Sequence, residues 1–254
     1  MTHHQHPSDV LVVIPARYAS TRFPGKALSD LHGKSVLRRC YDRCIEAVPN
    51  EFVVVATDDK RIQKHCREQS IRVVMTSTNC LTGTDRVAEV ARELPARWYI
   101  NVQGDEPFLD PESLRLMINA TRNVSETVQV INAYSAIHAE EDFRSVTVPK
   151  MVYDTNNHLL YASRAAIPTT KSLQFVRSNR QIGLYAFSGD ALQQFSVYGK
   201  KAPLEELEDI EILRFIELGL TVLMIQVDSV GIAIDTPDDL TRARDYMTRH
   251  PESI

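Results

Sequence analysis

Cysteine is scarce in this 254-residue chain, with four residues at positions 40, 44, 66 and 80. Their spacing makes neither a CxxC pair nor a zinc-ligand set, which excludes a disulfide scaffold and a zinc ribbon. Cys40 and Cys44, four apart in an expected helix, read as small apolar residues of a reduced protein. Glycine is scarce too, nine residues in all. None of them builds GxGxxG or GxxxxGK[ST], so a dinucleotide fingerprint and a Walker loop are both missing. No apolar run is long enough for a membrane span, and the polar start MTHHQHPSD carries no signal segment. His3, His4 and His6 read there as part of a disordered polar tail. A surplus of positive charge is also absent: 29 lysines and arginines face 33 aspartates and glutamates, for a formal net charge of −4. Such a chain is a poor non-specific binder of nucleic acid, and any anion site must come from a local cluster. The expectation is a cytoplasmic protein with no membrane insertion and no nucleic-acid partner.

What is present is ordinary globular material, 43% hydrophobic and 24% charged. Val10–Ile14, Phe52–Ala56, Arg72–Met75 and Trp98–Val102 are short apolar runs of the kind that strands buried on both faces require. Between them the pattern predicts helices over Val36–Val48, Asp59–Gln69 and Asp85–Leu94, the last capped by Thr84 or Asp85. Asp110 and Pro111 start a further helix. This alternation predicts an α/β fold with a mainly parallel sheet covered on both faces. In the second half, Val128–Ala136, Thr147–Tyr153 and Ile182–Phe187 read as strands of an antiparallel extension. Leu204–Leu218 reads as one acidic helix, Thr221–Val227 and Ile232–Ile234 as strands, and Thr236-Pro237 as a helix start. With no repeat and no linker, residues 1–254 read as one domain.

Ligands of open parallel sheets bind beyond the carboxyl ends of the strands. Four polar segments fall there, after Ile14, Ala56, Val102 and Ile234. The first, IPARYASTRFPGK, sets Arg17, Arg22 and Lys26 close together with Ser20, Thr21 and Gly25. Guanidinium forks bridge phosphate oxygens and a lysine adds a mobile charge, so this loop is predicted to bind phosphates. INVQGDEP places Asp105 behind a glycine turn, and GIAIDTPDDL places Asp235 just ahead of a cap. Two carboxylates facing a basic loop suit Mg²⁺ and phosphoryl transfer. In TGTDR, Gly83 allows close backbone approach and Arg86 offers a ligand contact.

Together PARYASTRFPGK, VATDD, TGTDR, INVQGDEP, LYASRAAIP and IDTPDDL resemble the CMP-Kdo synthetase family, the 3-deoxy-manno-octulosonate (Kdo) cytidylyltransferases, over residues 11 to about 245. The resemblance implies a three-layer Rossmann-like nucleotide-diphospho-sugar transferase fold, with a mixed, mostly parallel sheet and an antiparallel extension. Within it, residues about 8–134 would bind nucleotide and about 135–200 would bind sugar and dimerise. Residues about 201–250 would complete the sheet and metal site. The implied reaction moves CMP from CTP to the anomeric hydroxyl of Kdo, releases pyrophosphate and feeds lipopolysaccharide synthesis. The implied cofactor is Mg²⁺, held by Asp105 and Asp235, and the implied assembly is a homodimer. Arg17, Lys26, Asp105 and Asp235 carry the catalytic roles by this resemblance. Ala16, Arg17, Ser20, Arg22, Lys26, Thr84, Arg86 and Gln103 would contact CTP. Gln103, Arg164, Gln181, Tyr185 and Glu211 would contact the sugar.

Three positions depart from the family pattern. Gln181 stands where the family has histidine, Ile212 where it has glutamine, and Ala162 where it has phenylalanine. All three are expected on the sugar side. An Ile212 facing a buried sugar hydroxyl would leave it unpaired, at a cost of roughly 1–3 kcal/mol. The alternatives are therefore a cytidylyltransferase for another acid, such as an amino-Kdo, a nonulosonic acid or a phosphonate, and an inactive CTP-binding protein. A metal-dependent glycosyltransferase would carry an Asp-x-Asp at the metal strand, which QGDEP does not supply.

Overall fold

Alternate residues of the first strand face opposite layers. In β1 (Ser8–Pro15), Val12 and Ile14 join one apolar cluster with Leu37, Tyr41 and Leu114, whereas Leu11 and Val13 join another with Val87, Phe187 and Phe215. A strand covered on both faces has no polar side to present, which is why it reads as an unbroken apolar run. The structure, a computed structural model, describes residues 8–228 and 232–250. The histidines of the N-terminal tail lie outside them.

After β1, a two-strand ribbon, β2 (Asp30–Leu31) and β3 (Lys34–Ser35), leads into α1 (Val36–Ala47), which Ser35 caps. Then follow β4 (Val53–Thr57), α2 (Lys60–Glu68), β5 (Val73–Met75), α3 (Gly83–Glu93), β6 (Ala96–Val102) and α4 (Pro111–Asn123). The second half contains β7 (Val130–Ile137), α5 (Glu140–Arg144), β8 (Lys150–Tyr153), β9 (Leu159–Ser163) and β10 (Ser178–Ser188). It ends with α6 (Gly189–Tyr198), α7 (Pro203–Glu208), α8 (Ile212–Glu217), β11 (Val222–Gln226) and α9 (Pro237–Arg249). The main sheet runs β11-β7-β10-β6-β1-β4-β5, with β8 beside part of β10 and β9 beside β8. The pairs β1–β4, β1–β6, β4–β5 and β7–β11 are parallel. The mixed, mostly parallel α/β sheet expected from the sequence is therefore present.

Four local expectations are corrected. The antiparallel extension consists of β8 and β9, and β9 was not expected. β7 is instead interior, parallel to β11, and so is β10, which is antiparallel to both β6 and β7. Its register shifts between Gln181 and Tyr185. The buried Asn132 satisfies that irregular stretch by donating from Nδ2 to the carbonyls of Ile182 and Leu184, each at 3.0 Å.

Leu204–Leu218 is two short helices, broken where Asp209 adopts φ 52°. The carbonyls of Glu208 and Asp209 accept from the Arg164 guanidinium, a long-range partner invisible in a local pattern. The cap of α3 is Thr82, which exchanges hydrogen bonds with Asp85 in a capping box, so neither Thr84 nor Asp85 is the cap itself. Residues 232–235 form no strand. Ile234 is buried against Leu31, Val36 and Met247, and its N–H donates to the Asp105 carbonyl at 2.9 Å.

Candidate active site

The basic loop leaves β1 at Pro15 and turns at Gly25, whose φ of 76° disfavours any side chain. The Gly25 N–H donates to the Tyr18 carbonyl at 2.8 Å. A Cβ at Gly25 would lie 3.1 Å from the Tyr18 ring. The Arg61 guanidinium stacks 3.3 Å from the centroid of that ring and is itself gripped by Asp59. The loop is thus braced from outside, with Lys26 directed inward.

Lys26 Nζ donates to Asp105 Oδ2 and, at 2.9 Å, to Asp235 Oδ1. Arg22 reaches the same Asp235 oxygen at 3.1 Å. Burial works to lower the Lys26 pKa, but Asp105 and Asp235 outweigh it and hold the ammonium above its ordinary value. The two aspartates come from loops tied to each other by the Ile234–Asp105 backbone bond. Asp239 holds the amides of Asp235 and Thr236 at 3.0 and 2.8 Å, which leaves the Asp235 carboxylate to face the loop. Two carboxylates therefore already share one cation position, here filled by an ammonium. Oxygen donors of this kind fit Mg²⁺, which takes one or two carboxylates and completes its shell with phosphate oxygens and water. Among the described residues, no group of three or more His, Cys, Asp or Glu could hold a metal ion unaided.

Two cavities flank this cluster. The first, about 320 Å³, is walled by Ala16, Arg17, Lys26, Thr82, Gly83 and Arg86, among others. The second, about 330 Å³, is walled by Arg22, Glu106, Arg164, Arg180, Gln181 and Tyr185, among others. They share Gln103, Asp105, Asp209, Ile210, Glu211 and Asp235. A glycine beside the shared wall on each side allows close approach. A Cβ on Gly104 would sit 2.7 Å from the Pro15 carbonyl oxygen, and one on Gly183 would sit 2.9 Å from Glu106 Oε1.

Several expected contacts are committed to the protein itself. Arg86 is 4% exposed, pairs with Asp58 at 2.9 Å and donates to Thr76 Oγ1 at 2.8 Å, although it borders the first cavity. Thr84 does not border that cavity, and its hydroxyl donates to Glu211 at 2.6 Å. Glu211 also accepts from the amides of Gly83 and Thr84, so it closes the N-terminus of α3, where negative charge is favoured. Burial pushes the Glu211 pKa up, against those hydrogen bonds. Ser20 is buried within the loop and lines neither cavity. Arg22 lines the second cavity instead of the first. Arg164 borders the second, but its guanidinium donates to the carbonyls of Glu208, Val146 and Asp209 at 2.5, 3.0 and 3.0 Å. Asp58 and Asp59, in the segment after β4, serve Arg86 and Arg61 and line neither cavity.

The placement of Ile212 and Ala162 beside a bound sugar is corrected. They are 1% and 0% exposed and pack in the core with Phe187 and Phe215. An apolar residue is well placed there, and it leaves no cavity-facing hydroxyl unpaired. Gln181 does line the second cavity, with Nε2 donating to Asn132 Oδ1 at 3.0 Å.

The sequence reading missed Glu106, Arg180 and Gly183. Burial, aided by Asp105 and opposed by Arg180, pushes the Glu106 pKa up to about 7. A glycine inside a strand pattern signals a bulge or a close approach, and Gly183 supplies both.

Residues 11–226 match the cytidylyltransferase family. The 3-deoxy-manno-octulosonate cytidylyltransferase of Protochlamydia amoebophila is 36% identical over 256 residues, 98% of each chain. Its namesake in Escherichia coli is 34% identical over 242 residues, 95% of this chain and 97% of that one. A solved structure of CMP:2-keto-3-deoxy-manno-octonic acid synthetase complexed with CTP matches with a TM-score of 0.88 at 33% identity, covering 96% of this chain and 100% of that one. The 4-diphosphocytidyl-2C-methyl-D-erythritol synthase of Anaerococcus prevotii, 18% identical with a TM-score of 0.63 over 95% of this chain and 97% of its own, shares the fold.

Proposed function

We propose that this chain, which belongs to the 3-deoxy-manno-octulosonate cytidylyltransferase family, transfers the CMP unit of CTP to the anomeric hydroxyl of Kdo. The observation that carries this reading is the meeting of two cavities on Gln103, Asp105 and Asp235. A transfer needs two ligands in contact at one reacting centre. The nucleotide belongs in the first cavity, with its triphosphate against Arg17 and Lys26 and its α-phosphorus at the shared wall. The acid belongs in the second. Its hydroxyl oxygen attacks the α-phosphorus, the bond to the bridging oxygen breaks, pyrophosphate departs and the hydroxyl proton passes to solvent.

Lys26 and Arg17 would stabilise charge developing on the departing pyrophosphate. Asp105 and Asp235 would hold Mg²⁺, which when bound supplies further positive charge at the phosphate oxygens. Glu211 would keep the α3 N-terminus in place, and with it the Gly83 wall of the nucleotide cavity. The product is an activated sugar suited to lipopolysaccharide synthesis, made by a cytoplasmic enzyme. No helix among the described residues is long and apolar enough to cross a membrane. We assign homodimer contacts to the 135–200 segment, where Val146, Leu160, Leu173 and Val176 are each 60–70% exposed. Size-exclusion chromatography with light scattering tests this, and a monomer at micromolar concentration rejects it.

Kdo is favoured over another acid because two of the three departures from the family pattern, Ile212 and Ala162, lie in the core, away from the acceptor cavity. The test is pyrophosphate release from CTP with a panel of acidic acceptors and Mg²⁺. Turnover with Kdo is expected; its absence rejects the reading. CTP binding with no turnover on any acid would favour a non-catalytic role.

A further inference from the structure

An acidic acceptor brings its carboxylate into a cavity already walled by Asp105, Glu106, Asp209, Glu211 and Asp235. An anion left unpaired there would be both repelled and desolvated. Three guanidiniums reach those walls, and they differ in what they already hold. All three guanidinium nitrogens of Arg164 donate to main-chain carbonyls, and these bonds fix the turn at Asp209. Arg22 is 62% exposed at its side chain, sits on the phosphate loop and pairs with Asp235. Arg180 meets Asp142 at 3.5 Å, and the Asp142 side chain is 45% exposed. A long, half-exposed ion pair of that kind contributes little and is readily exchanged.

The backbone at Arg180 is rigid by contrast. It lies in β10 between two partners, in register with Ser135 of β7 and Lys150 of β8. The next residue, Gln181, is neutral and turned toward Asn132, so it supplies no charge. A guanidinium on a fixed strand, with donors to spare, suits bidentate capture of a carboxylate.

We propose that Arg180 receives the carboxylate of the acceptor and so selects acidic over neutral acceptors in the second cavity. This rests on the transfer reading given above. Arg164 then acts as a positioning residue that holds the 208–209 turn.

The test compares wild type with Arg180→Met and Arg180→Lys, measuring pyrophosphate release at saturating CTP with Kdo and with its neutral carboxamide. Arg180→Met is expected to raise KM for Kdo about 10- to 100-fold, the scale of a charged hydrogen bond. KM for CTP and the thermal unfolding midpoint should stay near wild type, and Arg180→Lys should recover part of the loss. The preference for acid over carboxamide should collapse in Arg180→Met alone. An unchanged KM for Kdo, an equal rise for CTP, or a retained preference in Arg180→Met overturns the proposal while leaving the transfer reading intact. Wild type inactive on every acid overturns the transfer reading and this proposal with it.

Discussion

Around the first cavity, many of the groups facing the ligand space come from segments that leave a strand end or open a helix, 15–17 at the end of β1, 82–86 at the start of α3 and 103–105 after β6, although Lys201, Glu205 and residues 209–211 line it too. Around the second, they come chiefly from the interior of β10, the loop before β8 and the end of β9, and again from the break between α7 and α8, which both cavities share. The segments that mark the first wall are short local motifs with their own caps or turns, tied to the far half of the chain by Glu211. The second is held by ties between residues 18 to 49 positions apart, such as Arg164–Val146 and Gln181–Asn132. The nucleotide side should therefore fail through lost charge, and the acceptor side through lost geometry.

The largest effect is expected at the shared cluster. Asp105→Ala and Asp235→Ala should each lower kcat for pyrophosphate release by about 100- to 1,000-fold, the usual cost of losing a group that stabilises transition-state charge. The folded state should persist by circular dichroism. Near-normal rates in both variants would break the assignment of this cluster.

Next comes Glu106. Its folded pKa, about 7, lies above its ordinary 4.5. Below about pH 4.5 both states are protonated and nothing is lost. Between there and pH 7 the folded state keeps a proton that the unfolded chain releases, so stability falls as pH rises. Above pH 7 the full penalty stands, on the order of 3 kcal/mol. Glu106→Gln should thus be more stable than wild type at pH 8 and nearly equal to it at pH 4.5, as read by urea midpoints. Parallel profiles for the two proteins would show that Glu106 ionises freely.

Arg164→Met sharpens the contrast further. Removing a guanidinium that serves three carbonyls should destabilise the fold by about 1–3 kcal/mol. KM for the acceptor should rise less than in Arg180→Met. Full stability with a large loss of acceptor affinity would reverse the roles given to the two arginines. The smallest effect is expected for Gln181→His, where KM for the acceptor should change by roughly twofold to tenfold, within a single weak hydrogen bond. KM for CTP should stay unchanged. Equal changes in both constants would show that the two cavities are not separable at Gln181.

Much of the nucleotide side was legible because its signals are local. Apolar runs marked β1, β4 and β6. The cations of 15–26 and the carboxylates at 105 and 235 follow from residue type and position relative to those strands. The helix over 204–218 misled because its apolar spacing is real, yet Arg164 takes the carbonyls at its middle. Ile232–Ile234 misled because an apolar triplet can fill a core without pairing in a sheet, and here Ile234 packs under α9.

The sequence by itself determined the alternating α/β layers, the basic loop and the two aspartates, because these depend on side-chain type and on periods of a few residues. Tertiary structure alone decided which cations remain available. Arg86 and Arg164 look no different from Arg180 in the chain, but Asp58 and three main-chain carbonyls claim the first two, whereas Arg180 makes a long pair with the half-exposed Asp142 and acts on Glu106 only through its charge. Unpaired backbone groups must be satisfied when a chain folds, and the donors nearest in space, not in sequence, satisfy them.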